Sequence, residues 1–282
     1  MVLRYLFCAA LAAALFAPIG AQAFDESKYP DLRGQWRRVA VPSGFYRGVQ
    51  YDPHKPAGPG QQAPLIPEYQ KRLEASIADQ AAGGQGLDTR YKCITNGMPR
   101  VMGVIFPIEF VILPNITYVN FEAFMPRRIY TDGRDYPKNE EPSFMGYSLG
   151  KWLDTDGDGR FDTLEVETRN FKGPRTVEFS GIPMHDDNET VVRERIYLDR
   201  NDPDTMHNEI TIIDHAFTRP WTVDKHYRRD RNVLWYEDNC NENNHHIVIG
   251  KENYFVSGDG YLMPARKDQA PPDLRYFKQI RK

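Results

Sequence analysis

Hydrophobic and polar residues alternate most clearly in two stretches, Val191 to Asp199 and Met206 to Asp214. A period of two marks a strand with one buried face. In a hairpin around Asn201-Asp202-Pro203-Asp204 that pairs symmetrically with Asp202 at its centre, Arg195 faces Glu209 and Tyr197 faces His207 on one side. The other side carries Val192, Ile196 and Leu198 with Met206, Ile210 and Ile212. One charged side and one apolar side describe an antiparallel sheet that is dry on one face. Arg195 and Glu209 are therefore read as a surface cross-strand ion pair, the alternative being a polar cluster lining a cavity.

The same pattern predicts strands over Gln35 to Val41, Ile116 to Phe124, Arg127 to Thr131, Thr176 to Ser180 and Thr222 to Arg228. Val101 to Leu113 is a long apolar run interrupted by Pro107. The single predicted helix begins at Pro67, repeats Tyr69, Leu73 and Ile77 at a spacing of four, and stops at Ala81-Ala82-Gly83-Gly84. Pro42 to Pro67 is rich in Pro, Gly and Gln and reads as a long loop. Many short strands between turn signals indicate a mainly β fold, an antiparallel lipocalin-like barrel or sandwich with one short N-terminal helix. The expected organisation is a leader over residues 1–23 and one β-rich domain over 24–282, with loop and helix at 42–92 and the main β meander from 93 onward.

Asp154 to Glu165 reads D-T-D-G-D-G-R-F-D-T-L-E. A calcium loop needs oxygen ligands at positions 1, 3, 5, 9 and 12, a carbonyl at 7 and a glycine at 6. Asp154, Asp156, Asp158, Asp162 and Glu165 fill the side-chain slots, Arg160 offers its carbonyl, and Gly159 supplies the turn. Asp and Gly also build ordinary tight turns, but five carboxylates this close repel one another without a cation. The flanks alternate like strands or carry glycines, so the loop is expected to close a β-hairpin. Calcium would then be a staple and not a switch.

Arg4, the apolar run Tyr5 to Phe16, and Ala21-Gln22-Ala23 form a secretory leader with a cleavage pattern, which places the protein in the periplasm or outside the cell. No later stretch is long and apolar enough for a transmembrane segment. Cys93 and Cys240 are the only cysteines after the leader. In an oxidising compartment they are expected to form a disulfide worth about 3–5 kcal/mol, the alternative being two separate thiols. A net charge of −3 gives no basic surface for nucleic acid. Aromatics at 12% suit a ligand-holding barrel and an ordinary β core equally.

Four segments together resemble a family of secreted, mostly uncharacterised bacterial β-rich proteins. They are Cys93-Ile94-Thr95-Asn96-Gly97-Met98-Pro99-Arg100, Arg128-Ile129-Tyr130-Thr131-Asp132-Gly133-Arg134, Met145-Gly146-Tyr147-Ser148-Leu149-Gly150-Lys151-Trp152 and Thr218-Arg219-Pro220-Trp221-Thr222-Val223. The resemblance implies a loosely lipocalin-like β fold, to which the Gly34-Gln35-Trp36 opening also conforms. Shorter relatives carry a plain turn where this chain has the Asp154–Glu165 loop, so calcium would belong to a subgroup. The resemblance implies no catalytic residue.

The sequence carries no nucleophile elbow, zinc-protease motif, phosphate loop or haem-attachment motif. It does carry His185, His207, His215, His226, His245 and His246. His185 in His185-Asp186-Asp187-Asn188 is the weak catalytic candidate, with Asp132 and Arg134 as its expected neighbours; a solvated turn histidine is the plainer alternative. His245-His246 reads as exposed loop. Three functions stay open. One is a calcium-stapled barrel holding a small apolar or aromatic ligand in a closed pocket of Phe106, Phe110, Tyr118, Phe121 and Tyr147. The others are a cofactor-independent enzyme using a pocket histidine, and an envelope-associated structural protein. Oligomeric state is not legible in the sequence.

Overall fold

The computed structural model describes residues 24–39, 63–82, 84–89, 94–104, 106–177, 181–232, 234–235, 246–249, 252–257 and 260–272. Residues 1–23, expected as a leader, and Cys93, Cys240 and His245 lie outside the described residues. Nine strands close into a barrel: β1 (Gln35–Arg38), β2 (Ile108–Leu113), β3 (Ile116–Phe121), β4 (Phe124–Tyr130), β5 (Tyr147–Leu153), β6 (Thr163–Arg169), β7 (Val191–Leu198), β8 (Thr205–Ile213) and β9 (Trp221–Asp230). A separate three-stranded sheet follows, β10 (His246–Ile249), β11 (Glu252–Val256) and β12 (Leu262–Pro264). No helix among the described residues is long and apolar enough to cross a membrane.

The expected β7–β8 register is the observed one: Arg195 pairs with Glu209 and Tyr197 with His207. Val192, Ile196, Met206, Ile210 and Ile212 point inward and are buried. Arg195 lies 3.5 Å from Glu209 with both side chains in solvent contact, so the pair is a surface one. Hairpin turns alone do not close this barrel. β4 and β5 run parallel through only Ile129–Ser148 and Tyr130–Leu149. A parallel neighbour requires the chain to travel back along the barrel, and residues 131–146 do so on its outside. Tyr136 fastens that segment by donating its hydroxyl to the Glu167 carbonyl at 2.7 Å.

Several expected boundaries shift for identifiable reasons. Pro107 lacks a backbone donor, and the run Val101 to Leu113 divides into a 3-10 turn at Arg100–Gly103 and β2. Ile116 to Phe124 is not one strand: the chain folds back after Phe121, and Phe121 pairs with Phe124 across the turn. Thr176 makes a single bridge to Pro183 in place of a strand, and residues 178–180 lie outside the described set. His246 opens β10 instead of lying in a loop.

The helix α1 (Pro67–Ala81) starts at the expected proline but buries Tyr69, Leu73 and Ser76, leaving Ile77 40% exposed. Steps of four residues advance about 400°, so a second such step drifts off the buried stripe, whereas the seventh residue stays on it. Ser76 is tolerated there because its hydroxyl accepts the Leu87 N–H at 2.9 Å.

The barrel interior is filled by side chains. Trp36, Ile108, Val119, Ile129, Leu164, Val192, Ile196, Met206 and Tyr227 are all at most 1% exposed. Each end has its own cover. At the end carrying the β5–β6 and β7–β8 turns, the N-terminal segment crosses the opening. There Trp36 donates its indole N–H to the Leu32 carbonyl at 3.0 Å, and Tyr29 packs edge-on to Trp152 at 5.3 Å. At the other end lie the long β6–β7 connection, the β8–β9 loop and α1, whose approach is tied down by the Thr218 N–H donating to the Pro64 carbonyl.

Candidate functional site

Three clusters of ligating side chains occur among the described residues, each positioned by a different local device. In the first, the β5–β6 hairpin ends at the Leu153–Thr163 pair and leaves a nine-residue loop between. Gly157 and Gly159 take φ of +79° and +88°, conformations that side chains with a Cβ rarely adopt. The turn then brings ligand oxygens of Asp154, Asp156 and Asp162 within 4.8 Å of one another. Asp154 accepts the N–H groups of Gly157 and Gly159, and Asp158 accepts that of Arg160 at 2.8 Å. Asp162 accepts both the N–H and hydroxyl of Thr155 through one oxygen, while its other oxygen is buried with no hydrogen-bond partner. Glu165 does not join this group. It sits on β6 opposite Lys151, half exposed, 3.7 Å from Arg195. The expected ligand set is thus split: Asp158 stands outside the converging group, accepting the Arg160 N–H, and residue 12 of the pattern, Glu165, has already entered the strand.

The second cluster lies at the opposite end. His185 Nδ1 and His215 Nδ1 stand 2.8 and 2.6 Å from the same oxygen, Asp187 Oδ2. His185 Nδ1 also lies 3.2 Å from the Asp187 N–H, so it accepts that bond when unprotonated and donates to the carboxylate when protonated. One side of its ring packs on Tyr69 with centroids 5.2 Å apart. Asp214 holds the two loops in register: one oxygen accepts the N–H groups of His185 and Ala216, the other the Thr190 hydroxyl. Behind it, Arg175 donates to Thr190 at 2.8 Å, and burial pulls its guanidinium down to about 10 despite nearby Asp214 and Asp187.

The expected neighbours of His185 are elsewhere. Asp132 and Arg134 pair with each other at 2.6 Å, and Arg134 lies over the Tyr130 ring at 4.0 Å. The residue that meets His185 is Asp187, two positions along in the same acidic turn. His215 was visible only as one histidine among several, since no sequence spacing connects it to Asp187.

Burial alone would raise the Asp187 carboxyl. Hydrogen bonds from His215, the Glu189 N–H and His185 outweigh it and hold the group at about 2. The same bond, with the Asp187 charge, raises the His215 imidazole above its usual value of 6.5. A depressed carboxyl contributes stability that is present above its unfolded range and lost as pH falls through about 2. A raised imidazole contributes below its unfolded value, and that contribution is lost as pH rises through the folded one. NMR titration of the His215 ring is expected to give a midpoint above 6.5, returning toward 6.5 in Asp187→Asn. An unchanged midpoint in the variant would show that the pair does not form.

The third cluster is built on strands, on the outer barrel wall. His207 of β8 is paired directly with His226 of β9, and Asp224 lies two residues along on the same face. Asp224 Oδ2 is 3.0 Å from His207 Nδ1 and 2.8 Å from His226 Nε2. The Asp224-x-His226 spacing on a strand was the available sequence signal, because residues two apart share a face.

The aromatic residues expected to line one closed pocket are distributed. Phe121 is buried in the core, Phe106 packs near Phe124 at 6.3 Å, and Tyr118 points outward. Tyr147 stacks on Tyr130 at 5.0 Å beside an open groove of about 330 Å³. Phe110 contributes to a different groove, of about 530 Å³, between the N-terminal segment and β2. Its other walls include Phe24, Tyr29, Leu32, Ile112 and, from the acidic loop, Arg160. That loop also anchors the segment, because the Phe161 N–H donates to the Lys28 carbonyl at 2.7 Å and the Phe161 ring lies 5.1 Å from Tyr29. No family model matches the chain, and neither a curated protein nor a solved structure matches it.

Proposed function

We propose that this chain is a secreted, calcium-binding β-barrel that holds a small apolar or aromatic ligand in the groove at its acidic-loop end. The observation that carries this reading is the shared wall. The groove of about 530 Å³ is bounded by the N-terminal segment and by Arg160 of the acidic loop, so what orders the loop also shapes the groove. That volume lies within the usual range for small-ligand sites. Calcium is the favoured ion because the converging ligands are hard oxygens, and Asp162 keeps one buried oxygen without a partner. The leader pattern supplies the secretion part of the reading. His185 does meet a carboxylate, but it is 32% exposed and lies outside the grooves described above, so binding is preferred to catalysis.

Thermal unfolding and titration with the apolar fluorophore N-phenyl-1-naphthylamine test the two parts together. Calcium at about one hundred times its dissociation constant is expected to add about 2.7 kcal/mol of stability. Asp162→Asn should remove that gain, and chelation should weaken fluorophore binding. Val111→Asp, at a groove residue 41% exposed, should abolish fluorophore binding without lowering the melting temperature. Identical melting with and without calcium would refute the staple, and fluorophore binding indifferent to Val111→Asp would refute the groove.

A further inference from the structure

The strand-mounted cluster on the outer wall has the donor set of a transition-metal site and not of a calcium site. Two imidazoles and one carboxylate suit a borderline divalent ion such as zinc, whereas calcium requires six to eight oxygens. We infer that His207, Asp224 and His226 bind a divalent transition-metal ion of the zinc class across strands β8 and β9, with water completing the coordination.

The geometry supports this at three levels. First, one ligand atom from each of the three residues lies within 4.8 Å of the others. Tetrahedral ligands about 2.05 Å from an ion are about 3.3 Å apart. The present separations of 3.0 and 2.8 Å therefore need to open by only a few tenths of an ångström, which small side-chain rotations supply.

Second, the ligands come from paired strands and not from a loop. The spacing of His207 and His226 is set by the β8–β9 ladder, and strand-mounted constellations are held more closely than loop-mounted ones. The three side chains are 13%, 14% and 24% exposed for His207, Asp224 and His226, so the site is fixed yet open to an entering ion.

Third, His207 has the support that a ligating histidine usually has. Its second ring nitrogen, Nε2, faces Asp199 Oδ2 at 3.3 Å, the carboxylate–imidazole arrangement that fixes tautomer and ring orientation. Its flat face is covered by Tyr197, stacked at 5.0 Å with 5° between the planes, and Tyr197 is itself anchored through its hydroxyl on Glu209 at 2.8 Å. Asp199 and Asp224 give the site a local negative charge when the histidines are neutral, which draws a cation in, while the Glu209 charge is offset by Arg195 at 3.5 Å. Asp199 is here a positioning residue; it orients His207 without ligating.

The test uses purified protein carrying His215→Gln, which removes the other histidine cluster at a side chain 64% exposed. Chelator-stripped protein in excess calcium, so that the acidic loop is occupied by that ion, is titrated with zinc by calorimetry, and with cobalt(II) while histidine ring signals are followed by NMR. One equivalent of zinc is expected, with cobalt shifting the His207 and His226 rings. His226→Gln should weaken zinc at least about tenfold, and Asp199→Asn about 10–100-fold, the usual effect of removing an orienting partner. Circular dichroism melts check that both variants fold, and Asp199→Asn carries the test if His226→Gln does not. Zinc affinity unchanged in the folded variants, or His207 and His226 signals indifferent to cobalt, would overturn the assignment.

Discussion

Glu194→Ala is expected to lower the unfolding free energy by about 3–5 kcal/mol, the usual effect of stripping one partner from a buried ion pair. Arg127 and Glu194 lie inside the barrel with side chains 1% and 0% exposed. All three guanidinium nitrogens are occupied: Nε by Ser148 at 3.2 Å, Nη1 by Glu194 at 3.1 Å, and Nη2 by Thr168 at 2.9 Å and the second Glu194 oxygen. Asn208 donates to Glu194 at 3.0 Å. The network thus reaches inward from β4, β5, β6, β7 and β8. Removing Glu194 leaves a full positive charge buried, with the Ser148 and Thr168 hydroxyls as its remaining hydrogen-bond acceptors. The double replacement Arg127→Met with Glu194→Leu should be milder than Glu194→Ala, because it removes both desolvation penalties together and leaves the buried Asn208 amide, not a charge, without its partner. Urea unfolding of the two variants decides it. A Glu194→Ala protein within about 1 kcal/mol of wild type would mean that the pair is not a closed interior one.

Asp214→Ala is expected to lower stability by about 3 kcal/mol, because three donors lose their acceptor at once. These are the N–H groups of His185 and Ala216 and the Thr190 hydroxyl. Ala216 is 0% exposed and Asp214 8%, so water replaces the lost bonds poorly. Arg175 would also lose the stronger of the two opposing charges that keep its burial from pulling its guanidinium lower. At this chain length the loss corresponds to about 6–12 °C in melting temperature. Asp214→Asn keeps an oxygen for the two N–H groups and should fall well short of that. The effect should also be local, with the His185 and His215 ring signals moving as their loops part. A protein that melts within about 1 °C of wild type, its ring signals unmoved, would show that Asp214 does not clip the loops together.

How much of this was legible in the sequence depends on how local the determinant is. The β7–β8 register was legible because alternation and a turn centred on Asp202 specify it without reference to the rest of the chain. Glu194 and Asn208 interrupt that alternation, between Val192 and Ile196 and between Met206 and Ile210, a signal the sequence reading passed over. Their partner Arg127, 67 residues from Glu194, could not be inferred, since only barrel closure brings it there. The acidic loop was legible as a pattern, but the pattern assumes that the chain after position 9 turns into a helix. Here it enters a strand, which carries Glu165 to Arg195. Asp187 joins two histidines from loops at one barrel end, and that meeting is likewise a product of closure.

The placement of β1 bears on when the native fold can exist at all during synthesis. β1 is the stave that joins the second strand to the last: Gln35 pairs with Glu109 on one side and with Asp230 on the other. Until residue 230 has left the ribosome, β1 has no β9 to pair with and the interior stays open on that flank. The hairpins β2–β3 and β7–β8 can form early, being local. The wall itself is completed only by its most distant partners, so a growing chain must hold Arg127 and Glu194 in an unclosed sheet until its ninth strand arrives. Shortening β9 from its far end would therefore remove the closure, not merely trim the edge, because Tyr227 to Asp230 are the residues that pair with β1.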